Sequence, residues 1–289
     1  MIECNISFRK LNDTKDDYLK LYNWCKNEYV YKWFEQRKLS YDEIINKYKF
    51  KLKNKIQDLY IIKLNDIDIG LVQIYKFNND IKISNLNKYK NIYEYDVFIG
   101  EEKYLNKGIG KEVIKSINKI IFKKYNADAI ILRVFKENIR AIKCYEKCNF
   151  KKVHEYIGTD TLGNNENIVV FINELERWTF GIDVDKLIKL VLSGKKTATT
   201  SLYKIEYLSK IGDISILTDS NNKNICIIQT KKVIVTEFKN INWNLAKLEG
   251  ENTSLEEWRQ VHKDYFSKID TNFNENTKVI FEVFEVLDL

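Results

Sequence analysis

Two stretches of the chain carry residues whose types and spacing suit chemistry. In DVFIGEEKYLNKGIGKEVI, residues 96–114, Gly108 and Gly110 stand where an extended run gives way to a helical one. Glycines there let the backbone turn tightly and aim several N–H groups outward, and the helix start adds its positive dipole end. The combination suits a pyrophosphate. Further on, ENIRAIKCYEKCNF, residues 137–150, places Asn138, Ala141, Tyr145 and Phe150 on a helical pattern that follows another strand. The second stretch is SGKKTATTS, residues 193–201, with Lys195 and Lys196 among hydroxyl residues. By pattern alone it is a polar loop ending a helix, with Gly194 as the C-terminal cap. Lys195 and Lys196 suit a solvated surface or contact with phosphates, while a lysine poised in a low-dielectric cleft can lose its proton near neutrality and activate a hydroxyl or water beside an orienting carboxylate. Cys144 and Cys148 lie four apart on one helix face with His154 near, but buried cysteines acting as small hydrophobes explain them better, and no metal is assigned.

Elements must position these groups. The 289 residues are 44% apolar, too many for a disordered chain, and at roughly 100–200 residues per domain they divide into two domains. Strands are expected at 2–11, 58–64, 68–77, 92–99, 128–134, 150–157 and 167–173. Helices are expected at 14–28, 40–56, 111–125 and 138–148, with a hairpin turn at Asn65-Asp66. This alternation implies an α/β unit, a mixed sheet covered by helices, over residues 1–175. Residues 174–181 break the periodicity and mark the boundary. Beyond them come a helix ended by Gly194, strands at 213–218 and 224–238, a helix at 253–267 and a closing strand at 278–287. Residues 176–289 therefore form a smaller α+β unit of mostly antiparallel strands.

The net charge of +7 is unevenly shared. Residues 1–175 hold 32 basic against 24 acidic side chains, and residues 176–289 hold 16 against 17, so the first unit suits a phosphate-bearing ligand better. Proline is absent and lysine abundant, a bias of genome composition that makes charge weak evidence for nucleic acid. No apolar run reaches the ~20 residues a membrane span needs, and residues 1–20 lack a signal peptide's apolar stretch. Five cysteines in no disulfide-dense pattern fit a reducing cytoplasm.

The two motifs of the first unit together resemble the GNAT superfamily of acetyl-CoA-dependent N-acetyltransferases. Leu105-Asn106-Lys107-Gly108-Ile109-Gly110 matches the family's Q/R-x-x-G-x-G/A, with Leu105 in place of the polar residue. Asn138 to Phe150 matches N-x-x-A-x-x-x-Y-x-x-x-G-F, with Asn149 in place of glycine, and asparagine tolerates a left-handed backbone. The resemblance implies that acetyl-CoA is the cofactor, its pyrophosphate held by Lys107, Gly108, Ile109, Gly110 and Lys111. It places the acetyl carbonyl and pantetheine along Phe98, Ile99 and Gly100, beside Asn138 and Ala141, with Tyr145 protonating the departing thiolate. Within the superfamily the run D-x-F-I-G from Asp96, the Q-I-Y at 73–75 and R-A-I-K-C-Y-E-K at 140–147 are similar to aminoglycoside 6'-N-acetyltransferases. That likeness implies that Asp96 orients or deprotonates the amine, with Trp33 and Tyr75 against the acceptor, an aminoglycoside antibiotic being the candidate. Where those enzymes carry Asp-Pro, this chain has Arg133-Val134, a cation that repels a polycationic acceptor.

The second unit resembles the ASCH family, with its β-barrel-like design, in four segments: residues 187–201, 210–217, 249–259 and 281–286. That resemblance implies RNA or nucleoside binding, ribonuclease activity, or hydrolysis of acetylated cytidine, the last with Lys196, Thr199 and Glu251 (Glu249 as the alternative glutamate) as its site. The alternative function is thus an RNA- or nucleotide-binding protein whose ASCH unit selects the target. Trp243, Trp258 and Phe266 are candidates to stack bases, although helical spacing assigns Trp258 to the core.

Overall fold

The computed structural model describes residues 5–78, 81, 83, 86–205 and 208–287, and the chain forms two compact units, Met1–Glu174 and Leu175–Leu289. Residues 2–4 of the expected first strand, and Cys4, lie outside the described residues.

The first unit runs β1 (Ile6–Lys10), α1 (Lys15–Cys25), α2 (Glu28–Tyr31), α3 (Tyr41–Asn54), β2 (Asp58–Leu64), β3 (Ile67–Lys76), β4 (Ile92–Ile99), α4 (Ile109–Lys124), β5 (Ala129–Phe135), α5 (Ile139–Glu146), β6 (Lys151–Thr159) and β7 (Asn165–Asn173). Its seven-stranded sheet has the order β1-β2-β3-β4-β5-β7-β6. Local chemistry sets the ends. Asn65 and Asp66 both take positive φ (45° and 67°), as a two-residue hairpin turn matched to strand twist requires. Ser40 and Glu43 close a reciprocal capping box on α3. Every neighbouring pair is antiparallel except β4 and β5, which pair in parallel only from Ile92↔Ala129 to Glu94↔Ile131. Both strands continue, to Ile99 and Phe135, so past Glu94 the sheet splays open. On one face Leu21, Trp24, Ile44, Tyr48 and Phe98 share a core. On α4, Val113, Ile117 and Ile121 recur at helical spacing and are buried. Each fully buried Ile or Leu stabilises the fold by about 1.5–3 kcal/mol.

The second unit runs β8 (Glu176–Trp178), α6 (Val184–Leu192), β9 (Ala198–Leu202), β10 (Ile214–Thr218), β11 (Asn224–Glu237), α7 (Trp243–Ala246), α8 (Leu255–Ile269) and β12 (Lys278–Val286). The sheet order is β8-β10-β11-β12-β9, curled into a half-barrel. Two expectations need correction. Residues 174–181 are not merely a boundary: Glu176–Trp178 adds a strand parallel to β10. The polar loop after Gly194 becomes a strand at Ala198, where Thr199 pairs with Glu282 of β12. Threonine is β-branched and suits a strand once a partner covers it, and only the fold supplies that partner. Among the described residues no helix is long and apolar enough to cross a membrane.

Candidate active site

The splay between β4 and β5 is the mouth of a cleft of about 1320 Å³. Its lining includes Asp96, Phe98 and Ile99 from β4, Gly108, Gly110 and Lys111 at the start of α4, Asn138, Ala141 and Tyr145 at α5, and Trp33 and Tyr75. Sequence reasoning assembled most of this set, and the fold brings it to one place.

The cradle is built by backbone conformation. Asn106 (φ 58°) and Gly108 (φ 79°) are both left-handed, which turns the chain sharply into α4. The first-turn amides of a helix have no intrahelical acceptors and face outward. The Lys111 amide departs from the expected set, because it donates to the Gly108 carbonyl at 3.1 Å. Lys107 and Ile109 are absent from the lining, and the Ile109 side chain is buried in the core. Gly100 departs further. Its N–H donates to Ile69, its carbonyl accepts the Tyr29 hydroxyl at 2.6 Å, and a Cβ there would sit 2.1 Å from the Trp24 ring. It is a packing glycine outside the lining. Asn138 lines the cleft while its Oδ1 accepts the Ala141 amide at 3.2 Å, so it also caps α5. Asn149, standing in for glycine, is left-handed at φ 64°, as the substitution requires.

Tyr145 packs against Phe150 and Phe171, with ring centroids 5.9 and 6.1 Å apart. Burial, and next the charge of Asp96, push its phenol above the ordinary tyrosine range, which keeps the proton on oxygen. Asp96 accepts the Tyr75 hydroxyl at 3.2 Å. Burial raises its pKa, opposed by the charge of Lys51 and by that hydrogen bond. A phenol that keeps its proton and an acidic side chain whose pKa burial raises therefore stand in one cleft.

The cation at position 133 is not loose in this cleft. Arg133 grips Glu94 through two hydrogen bonds, 2.7 and 2.8 Å, and the Glu94 side chain is buried. The repulsion expected of Arg133 is thus largely cancelled locally.

Sequence reasoning missed Lys51. It lies seven residues after Ile44 and three after Tyr48, on the buried stripe of α3, and that misplaced charge was the signal available. Its ammonium donates to Gln73 Oε1 at 2.5 Å.

The second unit holds a closed cluster instead. Lys196 is 1% exposed, and its ammonium donates to Glu249 at 2.9 Å and to Glu251. Glu249 also accepts Thr200 Oγ1 at 2.6 Å and Trp258 Nε1 at 3.1 Å, and lies 3.6 Å from His262 Nε2. Burial is outweighed chiefly by the charge of Lys196, so the Glu249 carboxyl falls to about 2. Both candidate glutamates meet Lys196. The threonine bonded to Glu249, however, is Thr200, since strand alternation turns Thr199 to the other face of β9. Trp258 and Phe266 are core residues, as helical spacing indicates for Trp258.

A family model of the GNAT acetyltransferase domain matches residues 13–157, half of the chain, and one of the ASCH domain matches residues 176–288. The chain belongs to the GNAT acetyltransferase family and carries a C-terminal ASCH domain; acetyl-CoA is the cofactor of that family. It is 34% identical over 56 residues to the spermine/spermidine N(1)-acetyltransferase of Bacillus subtilis, a match spanning 19% of this chain and 37% of that protein's length. It is 22% identical over 148 residues to the aminoglycoside N(6')-acetyltransferase type 1 of Klebsiella pneumoniae, covering 48% of this chain and 71% of that one. An uncharacterized protein from Bacillus halodurans shares the fold, with a TM-score of 0.52 and 20% identity over 60% of this chain and 86% of that one.

Proposed function

We propose that the chain transfers an acetyl group from acetyl-CoA to a primary amine, binding the cofactor between Phe98–Ile99 and Gly108–Gly110. The supporting observation is that, among the described residues, the β4–β5 splay leaves Asp96–Ile99 paired with β3 on one side but unpaired on the β5 side, in a cleft it shares with Tyr145 and a glycine-built helix start. The cofactor supplies an activated thioester. Asp96 accepts a hydrogen bond from the acceptor ammonium and draws its proton away, directly or through water. Tyr145 holds a proton at Oη for the departing thiolate. Backbone groups along Phe98 and Ile99 orient the acyl carbonyl and pantetheine, giving direct transfer in a ternary complex without a covalent acetyl-enzyme. The 6'-amine of an aminoglycoside is the acceptor the resemblance suggests. Calorimetry with coenzyme A tests the reading, and absence of binding overturns it. Tyr145→Phe should lower kcat by about 10²-fold or more with cofactor affinity nearly unchanged. Unaltered turnover would remove Tyr145 from the mechanism.

For the ASCH domain we infer RNA or nucleoside binding in preference to hydrolysis of acetylated cytidine. Lys196 is 1% exposed and its ammonium is engaged by Glu249 and Glu251, which leaves it no free approach to a substrate and counts against catalysis there. Filter binding to transfer RNA at two salt concentrations tests binding, since phosphate contacts weaken steeply with salt. Cytidine release from the acetylated nucleoside, abolished in Lys196→Ala, would reverse the preference.

A further inference from the structure

The acceptor side of the cleft carries an uneven set of charges. Gln73 and Tyr75 on β3 lie directly across from Asp96 and Glu94 on β4, so the four side chains form two rows on one face of the sheet. Two of the charges nearby are already matched: Arg133 by Glu94, and Lys47 by buried Glu35. Two are not. Among the described residues, Asp96 accepts the neutral Tyr75 hydroxyl and Lys51 donates to the neutral amide of Gln73, the residue opposite Asp96, and neither meets a group of opposite charge at hydrogen-bond distance. Each feels the other's charge, but among the described residues no direct ion pair joins them. Trp33 and Tyr156 add aromatic surface to the same cleft, and Trp33 packs 6.4 Å from Phe135.

An unmatched carboxylate and an unmatched ammonium held as neighbours are complementary to a ligand carrying the same two charges reversed. A polycation would find one unmatched carboxylate for several ammonium groups, and would press another of them against Lys51. That arrangement selects against it as well as failing to attract it. Resting on the acetyltransferase reading, we propose that the natural acceptor is a zwitterionic monoamine with an apolar or aromatic body, its ammonium on Asp96 and its carboxylate on Lys51. Lys51 is then a specificity-determining residue, and neither a polyamine nor an aminoglycoside is the preferred substrate.

The test uses the full chain, acetyl-CoA and three amines of one shape: 4-methylbenzylamine, 4-(aminomethyl)benzylamine and 4-(aminomethyl)benzoate. Thiol release should give the carboxylated amine the highest kcat/KM, exceeding the diamine at least about tenfold. In Lys51→Met, and again in Lys51→Gln should the first misfold, the ratio of carboxylated to methylated acceptor should fall about tenfold, mainly through KM. That ratio is read within one preparation, so partial unfolding does not mimic it. Preference for the diamine, or for kanamycin, would overturn the inference, as would an unchanged ratio. Coenzyme A binding with the diamine preferred sinks this inference alone. No coenzyme A binding sinks the acetyltransferase reading and this inference with it.

Discussion

Two lysines, one in each domain, are drawn out of water to different degrees, Lys196 fully and Lys51 in part, and they are solved in opposite ways. Lys196 is enclosed and meets two carboxylates, with Thr200, Trp258 and His262 completing the shell around Glu249. Lys51 borders an open cleft and meets one amide. Its pKa is pushed down to about 8, first by burial and then by Lys47. The contrast separates two uses of buried charge. A fully matched cluster fixes one arrangement of the backbone, tying β9, the 247–251 segment and α8 together. An unmatched group stores a desolvation cost that a ligand of opposite charge relieves on binding.

The sharpest way to break that contrast is to remove the matched lysine. Lys196→Ala leaves Glu249 and Glu251 without their cation, and should cost about 3–5 kcal/mol of ASCH-domain stability, measured by denaturant unfolding. Lys51→Ala should be far milder, and similar losses for both would erase the distinction. Acid adds a second reading of the same cluster. Glu249 is held at about 2 in the folded protein against an ordinary 4.5. Its contribution is therefore complete above about pH 4.5 and is lost as pH falls toward 2. Glu249→Gln should flatten that decline. Asp96 has the opposite sign, because its raised pKa makes the folded form the better proton acceptor, so its burial penalty is relieved on acidification.

The same asymmetry predicts kinetics. With the Asp96 pKa raised by burial, kcat/KM should climb with pH through a midpoint above the ordinary carboxylate range. Asp96→Asn should lower it about 10²-fold and abolish that limb. A variant retaining the acidic limb would assign it to another group and return Asp96 to a purely orienting part.

Much of this is legible in the sequence, for reasons that are local. The Asn65-Asp66 turn, the Ser40 cap and the glycine entry to α4 each depend on a few adjacent residues, and spacing alone reveals them. What escapes is set by pairing between distant segments. Thr199 and Thr200 are neighbours of like chemistry, and only the register of β9 on β12 decides which one reaches Glu249. Arg133 reads as a free cation until β4 places Glu94 beside it. Gly100 sits inside a matched motif, yet the Trp24 ring, from a helix far earlier in the chain, explains its lack of a side chain. His262 escapes notice although it falls between Trp258 and Phe266 on the buried stripe of α8, where a titratable residue asks for a partner.

Gly108 and Gly110 allow the smallest and most discriminating test, because the structure gives them different reasons to be glycine. Gly108 is left-handed, and a methyl group added there would meet open space, so Gly108→Ala should cost about 1 kcal/mol through backbone strain alone. At Gly110 a Cβ would meet only ordinary contacts, 3.6 Å to Cys144 Sγ and 3.9 Å to Ile99 Cδ1, and the backbone is helical. Gly110→Ala should therefore leave stability unchanged or raise it by about 0.5–1 kcal/mol. If a pyrophosphate approaches this helix start closely, the same methyl group should weaken coenzyme A binding several-fold by calorimetry. A variant that is equally stable and binds coenzyme A as tightly as the parent would move the phosphate away from this amide, leaving the turn at Gly108 a matter of chain direction only.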